Sequence, residues 1–100
     1  MATLRVENLV HDFDTWKAVF DKFEQFRAEQ GVRAYRLCRS VAEPNRVTVD
    51  LDFDSVPEAT AFSEALERIW RTPQSRDQMA SHGTPEVLDL VVVRDLSPVP

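Results

Sequence analysis

Between Leu4 and Val10 the chain alternates, with Leu4, Val6, Asn8 and Val10 on one side and Arg5, Glu7 and Leu9 on the other, the period of a strand. From Trp16 the period changes. Trp16, Val19, Phe20, Phe23 and Phe26 recur three and four apart, which predicts a helix that begins at an Asp12 or Asp14 cap and runs to about Gln30. Gly31 then serves as its C-terminal cap. A period of two returns over 32–41 and 46–53, joined by Ala42-Glu43-Pro44-Asn45, whose proline and asparagine suit a tight turn. In the later strand Val47, Val49, Leu51 and Phe53 alternate with Thr48, Asp50 and Asp52, so one face is apolar and the other polar.

Ser55-Val56-Pro57-Glu58 places a serine and a glutamate three apart, the capping box of a second helix, with proline in its first turn. Ala59, Phe62, Leu66, Ile69 and Trp70 form the stripe this helix buries. Thr72-Pro73 interrupts it before a shorter helical piece expected over 74–81. Gly83-Thr84-Pro85 leads into a β-branched strand expected over 87–93, and 95–100 reads as a tail, loose or wrapped around a partner.

Four strands and two long helices in this order define an α+β fold, a ferredoxin-like β-α-β-β-α-β unit spanning 1–100 as one domain. Its four-stranded antiparallel sheet carries both helices on one face. The other face would show Arg5, Glu7, Thr48, Asp50 and Asp52 beside Leu9, Leu88, Leu90 and Val92, too apolar to stay in water. A second copy of the sheet is the expected cover, giving a homodimer closed as an α/β barrel. Size argues the same way, because a chain of 100 residues hides only about 65% of its unfolded surface.

Composition narrows the partners. An apolar fraction of 43% with 29% charged residues is that of a folded domain. The net charge is −5 and the basic residues are scattered, which argues against nucleic acid. There is no apolar run of membrane-spanning length and no secretory leader, so a cytoplasmic location without membrane association is expected. Cys38 is the only cysteine and is read as a packing residue. No glycine-rich phosphate loop, nucleophile elbow or His-Glu zinc motif is present, and neither a metal nor a cofactor is expected.

Asn8 is the one polar side chain on the apolar face of the first strand. Its amide could hold a ligand carbonyl or oxyanion, or simply bond within the protein. His82, beside Gly83, is a candidate proton carrier or a surface cap. Trp16, Tyr35, Phe62 and Trp70 could line a slot for a flat hydrophobic ligand, or only fill the core. Asp50 and Asp52 share a face and could act as an acid/base pair, hold a cation, or pair with Arg5 or Arg36.

The stretch Asp12-Phe13-Asp14-Thr15-Trp16-Lys17-Ala18-Val19-Phe20-Asp21, with Asn45-Arg46-Val47-Thr48-Val49 and Phe53-Asp54, resembles small cyclase-labelled members of the dimeric α/β-barrel superfamily. That superfamily includes antibiotic-biosynthesis monooxygenases, muconolactone-isomerase-like proteins and polyketide-cyclase-like proteins, and the resemblance spans nearly the whole chain. It implies a cofactor-independent monooxygenase, cyclase or isomerase acting on an aromatic or polyketide-like molecule, with Asn8 and His82 as catalytic residues. Where that subgroup often carries a histidine on its first strand, this chain has Asn8. Asn8, Trp70 and His82 also resemble the Asn, Trp and His trio of haem-degrading members, although Trp70 falls a turn or more late in its helix. A binding or assembly module without catalysis is the competing class.

Overall fold

A computed structural model describes residues 1–73 and 79–98. Its elements are β1 (Ala2–Val10), α1 (Phe13–Lys22), α2 (Glu24–Glu29), β2 (Ala34–Arg39), β3 (Arg46–Phe53), α3 (Val56–Trp70), β4 (Met79–His82) and β5 (Glu86–Asp89). All strand pairs are antiparallel, in the order β2-β3-β1, with β4 and β5 sharing the far edge of β1. This is the expected α+β ferredoxin-like arrangement, with its last strand delivered in two segments.

Local chemistry sets the boundaries. Asp12 caps α1 by accepting from the Thr15 N–H at 2.9 Å, and Asn45, in the β2–β3 turn, accepts from the Phe13 N–H at 3.1 Å. The hairpin turn is thereby tied to the start of the helix. Ser55 accepts from the Glu58 N–H, the expected serine cap, and its hydroxyl donates to the Glu58 carboxylate, so Glu58 is held by the serine side chain. Gly31 has φ +100°, the left-handed region where a side chain is strained.

Three expectations are corrected. The helix expected to reach Gln30 breaks at Phe23, whose φ of −101° lies outside helical geometry. The turn this inserts leaves Phe23 53% exposed and buries Arg27 instead. Residues 79–81, expected to be helical, are strand, because β5 covers β1 only from Ala2 to Arg5 and the remaining edge at Asn8–Val10 takes β4. The rest of that expected helical piece, 74–78, lies outside the described residues. Finally, strand structure stops at Asp89 rather than Val93. The Leu90 N–H donates to the Met1 carbonyl at 3.1 Å, and Val91, Val92 and Val93 beyond it are exposed and outside any strand.

The core lies between the sheet and the helices. Leu4, Val47 and Phe53 are its most enclosed large side chains, joined by Val6, Val10, Val49, Leu51, Trp16, Phe62 and Trp70. Burying each such side chain contributes roughly 1.5–3 kcal/mol. On the opposite sheet face Arg5 grips Asp50 through Nε and Nη2 at 2.9 and 3.0 Å, and Arg36 grips Asp52 at 2.9 and 3.2 Å. The Thr3 hydroxyl donates to Asp52 at 2.8 Å. Of the readings open for Asp50 and Asp52, pairing with arginine is the one the geometry bears out. Arg36, then Thr3, hold the Asp52 carboxyl below the usual carboxylate range against the opposing effect of burial.

Candidate functional site

Asn8, His82 and Trp70 come together although 62 and 12 residues separate them in sequence. Asn8 sits on the helix-facing side of β1, 5% exposed, with Val47 of β3 on one flank and His82 of β4 on the other. Directly paired residues of antiparallel strands point to the same side, so Asn8 and His82 share that face. Trp70 ends α3 directly above. Its ring and the His82 imidazole stack with centroids 3.9 Å apart and planes 21° apart.

The loop after β4 fixes this placement. The Gly83 N–H donates to the Glu7 carbonyl at 2.6 Å, and a Cβ at Gly83 would stand 3.4 Å from that oxygen. His82 Nδ1 lies 3.2 Å from the Gly83 carbonyl. In the tautomer that donates there, Nε2 is left as an acceptor. Asn8 Oδ1 is buried and has no hydrogen-bond partner among the described residues. An acceptor left in that state costs about 1–3 kcal/mol, which a ligand hydroxyl or N–H would recover. The cluster thus offers a buried hydrogen-bond acceptor, a flat indole and an exposed imidazole.

The other sequence candidates fall elsewhere. Trp16 packs on Phe20 at 5.1 Å, and Phe20 meets Tyr35 edge-on at 5.4 Å, forming a ring series along α1 and β2. Phe62 packs with Phe53 at 5.5 Å and Phe26 at 6.4 Å. Tyr35 lies level with Leu51 and Leu4, four residues along β1 from Asn8, or about 13 Å at strand rise. Ring contacts therefore divide the expected slot into three groups, and Trp70 alone joins Asn8 and His82.

Arg27 was missed. It is 6% exposed, with its Cζ 3.6 Å from the Phe20 ring centroid and 5.2 Å from that of Tyr35. The available signal was its place at helical spacing from Trp16, Phe20 and Phe23. Among the described residues no group of three or more His, Cys, Asp or Glu side chains could hold a metal, and no helix is long and apolar enough to cross a membrane.

The fold defines the class: a ferredoxin-like α+β protein. Two solved structures, each named "putative antibiotic biosynthesis monooxygenase", share the fold. The one from Nitrosomonas europaea has a TM-score of 0.68 at 18% identity, over 92% of this chain and 100% of that one. The one from Bordetella bronchiseptica has a TM-score of 0.70 at 20% identity, over 92% of this chain and 97% of that one. A dimeric ferredoxin-like protein from an uncultured marine organism matches with a TM-score of 0.60 at 8% identity, over 94% and 92% of the two chains. No known family profile and no curated protein sequence matches the chain.

Proposed function

We propose that this protein binds a hydrophobic, aromatic or polyketide-like small molecule between sheet and helices at Asn8, Trp70 and His82, and acts on it as a cofactor-independent monooxygenase, cyclase or isomerase. The observation that carries the reading is the buried Asn8 Oδ1, without a hydrogen-bond partner among the described residues, beside an imidazole stacked on an indole. Asn8 accepts from a ligand hydroxyl and fixes its orientation, Trp70 provides an apolar surface for a flat ring, and His82 Nε2 takes up a proton. The names of the structural neighbours are consistent with this chemistry. The working unit is a homodimer closed through the outer sheet face, and the half-buried Leu88 and Leu90 on that face support this.

Wild-type protein and an Asn8→Ala/His82→Ala double variant, offered a panel of anthrone-like and polyketide-like compounds, test the assignment. Turnover by the wild type that falls at least a hundredfold in the variant is expected. Identical turnover by both refutes it.

A second reading, haem binding, gains from the same convergence, since the fold closes the gap in chain spacing between Trp70, His82 and Asn8. His82 would hold the haem iron through Nε2, and the iron would supply the oxidative chemistry. The donor set fits, because Nδ1 is turned to a backbone carbonyl and Nε2 is left in the ring plane. Haem titration of wild type and His82→Ala, read by the Soret band, separates the two readings.

A further inference from the structure

Val91, Val92, Val93 and Leu96 are 81%, 71%, 79% and 84% exposed, an apolar, mostly β-branched stretch left in water directly after β5. The Cα radius of gyration, 14.3 Å, exceeds the about 13 Å of a compact chain this long, in keeping with a segment that stands clear of the body. At the opposite side of the sheet, β2 has a neighbouring strand on one flank only among the described residues. Its pairing with β3 runs from Ala34 to Arg39 without a bulge, and no proline interrupts it, so its outer flank presents a regular row of backbone donors and acceptors. The two arginines on it do not guard that edge, since Arg36 is turned to Asp52 and Arg39 to the Pro44 carbonyl. Tyr35 and Leu37, on its helix-facing side, are only half-buried.

Within one copy the segment is kept from this edge. β3 and β1 lie between, about 14 Å of sheet, and the direct route would lay valines across the Arg5–Asp50 and Arg36–Asp52 pairs. A second copy removes the obstacle. With the sheets face to face about a two-fold axis parallel to the strands, the β5 edge of one copy stands over the β2 edge of the other, about 10 Å away. Residues 91–98 span about 26 Å when extended, enough to cross that gap and still pair.

We infer that Val91–Leu96 of each copy adds as a strand to the β2 edge of a second copy, so that two exchanged segments close the homodimer. The inference rests on the homodimer proposed above. Backbone hydrogen bonds supply the pairing, as in other cases of strand addition to a free edge. Val91 and Val93 cover the partner's Tyr35 and the partner's Leu37, while Val92 continues the Leu88 and Leu90 face into the barrel interior.

Cys38, the only cysteine, makes the pairing testable. It is exposed on β2 and lies level with Thr48, on the outer sheet face. Single cysteines are placed in turn at 91–96 and oxidised with diamide; cross-strand neighbours on one face come close enough for a disulfide, and residues on opposite faces do not. Leu88 is level with Thr3 and shares that outer face, so Val92→Cys, Arg94→Cys or Leu96→Cys is expected to trap most of the protein as a disulfide-linked dimer on a non-reducing gel. Val91→Cys and Val93→Cys should give little, and adding Cys38→Ser should abolish the link. Wild type should stay unlinked, because the two-fold axis sets the two copies of Cys38 on opposite sides of the barrel. Equal yields at odd and even positions, a link that survives Cys38→Ser, a disulfide within one chain, or a wild type that cross-links overturns the exchange. Light scattering on the same samples separates the two layers: a dimer with no cross-link at any position overturns the exchange and leaves the homodimer standing, whereas a monomer overturns both.

Discussion

Replacing Asp52 by asparagine removes one negative charge from a well-enclosed position and keeps the shape. Asp52 accepts from the Thr3 hydroxyl at 2.8 Å and from Arg36 at 2.9 and 3.2 Å, with its side chain 11% exposed and that of Arg36 53% exposed. The half-exposed Arg36 shares its charge with solvent, so its contribution is closer to that of a surface pair, under about 1 kcal/mol, than to that of a buried one. The enclosed Thr3 bond contributes about 1 kcal/mol, and the asparagine N–H₂ now facing a donor adds a similar penalty. Asp52→Asn should therefore lower stability by about 2 kcal/mol, and Thr3→Val by about 1 kcal/mol. Urea unfolding at fixed protein concentration reads both.

The sign of the pH dependence follows from the depressed carboxyl. A group whose pKa is lower folded than unfolded contributes stability that is present above its unfolded pKa and is lost as pH falls through the folded value. The gap between wild type and Asp52→Asn should be full near neutral pH and shrink below about pH 4, the ordinary aspartate range. A gap under about 0.5 kcal/mol at neutral pH, or one that stays constant into acid, refutes the reasoning.

Gly31→Ala should destabilise by about 1 kcal/mol or more: φ is +100°, and the new Cβ would meet Glu58 Oε2 at 2.7 Å, a difference thermal melting would show. Ser55→Ala should lower stability by about 1 kcal/mol by removing the α3 cap, while Ser55→Asp should retain most of it, as chemical denaturation can check. Leu90→Asp should convert a dimer to monomer or unfold it, as light scattering would show; a wild type monomeric at high concentration would contradict the covered-face reading.

The architecture was legible wherever a period and a cap agreed. Leu4–Val10 and Val47–Phe53 alternate cleanly because each has one face against the helices, and Ser55 with Glu58 announces α3 through local hydrogen bonds alone. Phe20, Phe23 and Phe26 kept their spacing across the break after α1, so the turn that exposes Phe23 and buries Arg27 left no mark on the hydrophobic pattern. Val91–Val93 carry strong β propensity, but a strand exists only where a neighbour offers backbone, which the local residues do not specify. Of the candidate site, Asn8 was marked by its polarity on an apolar face. That Trp70 would stack on His82 depends on a strand at 79–82, which the proline at position 73 disguised as a helix restart.

β1 is a single ribbon with two responsibilities. Asn8 looks toward the helices, while Thr3 and Arg5 hold the charge lattice behind the sheet. Because alternate residues serve opposite sides, deleting one residue between Arg5 and Asn8 would turn Asn8 outward and bring Leu9 in. Substitutions can tune either side alone, but insertions and deletions cannot. In descendants of this chain, length change should accumulate in the 40–45 turn and the C-terminal tail, leaving the first ten residues fixed in number whatever their identities become.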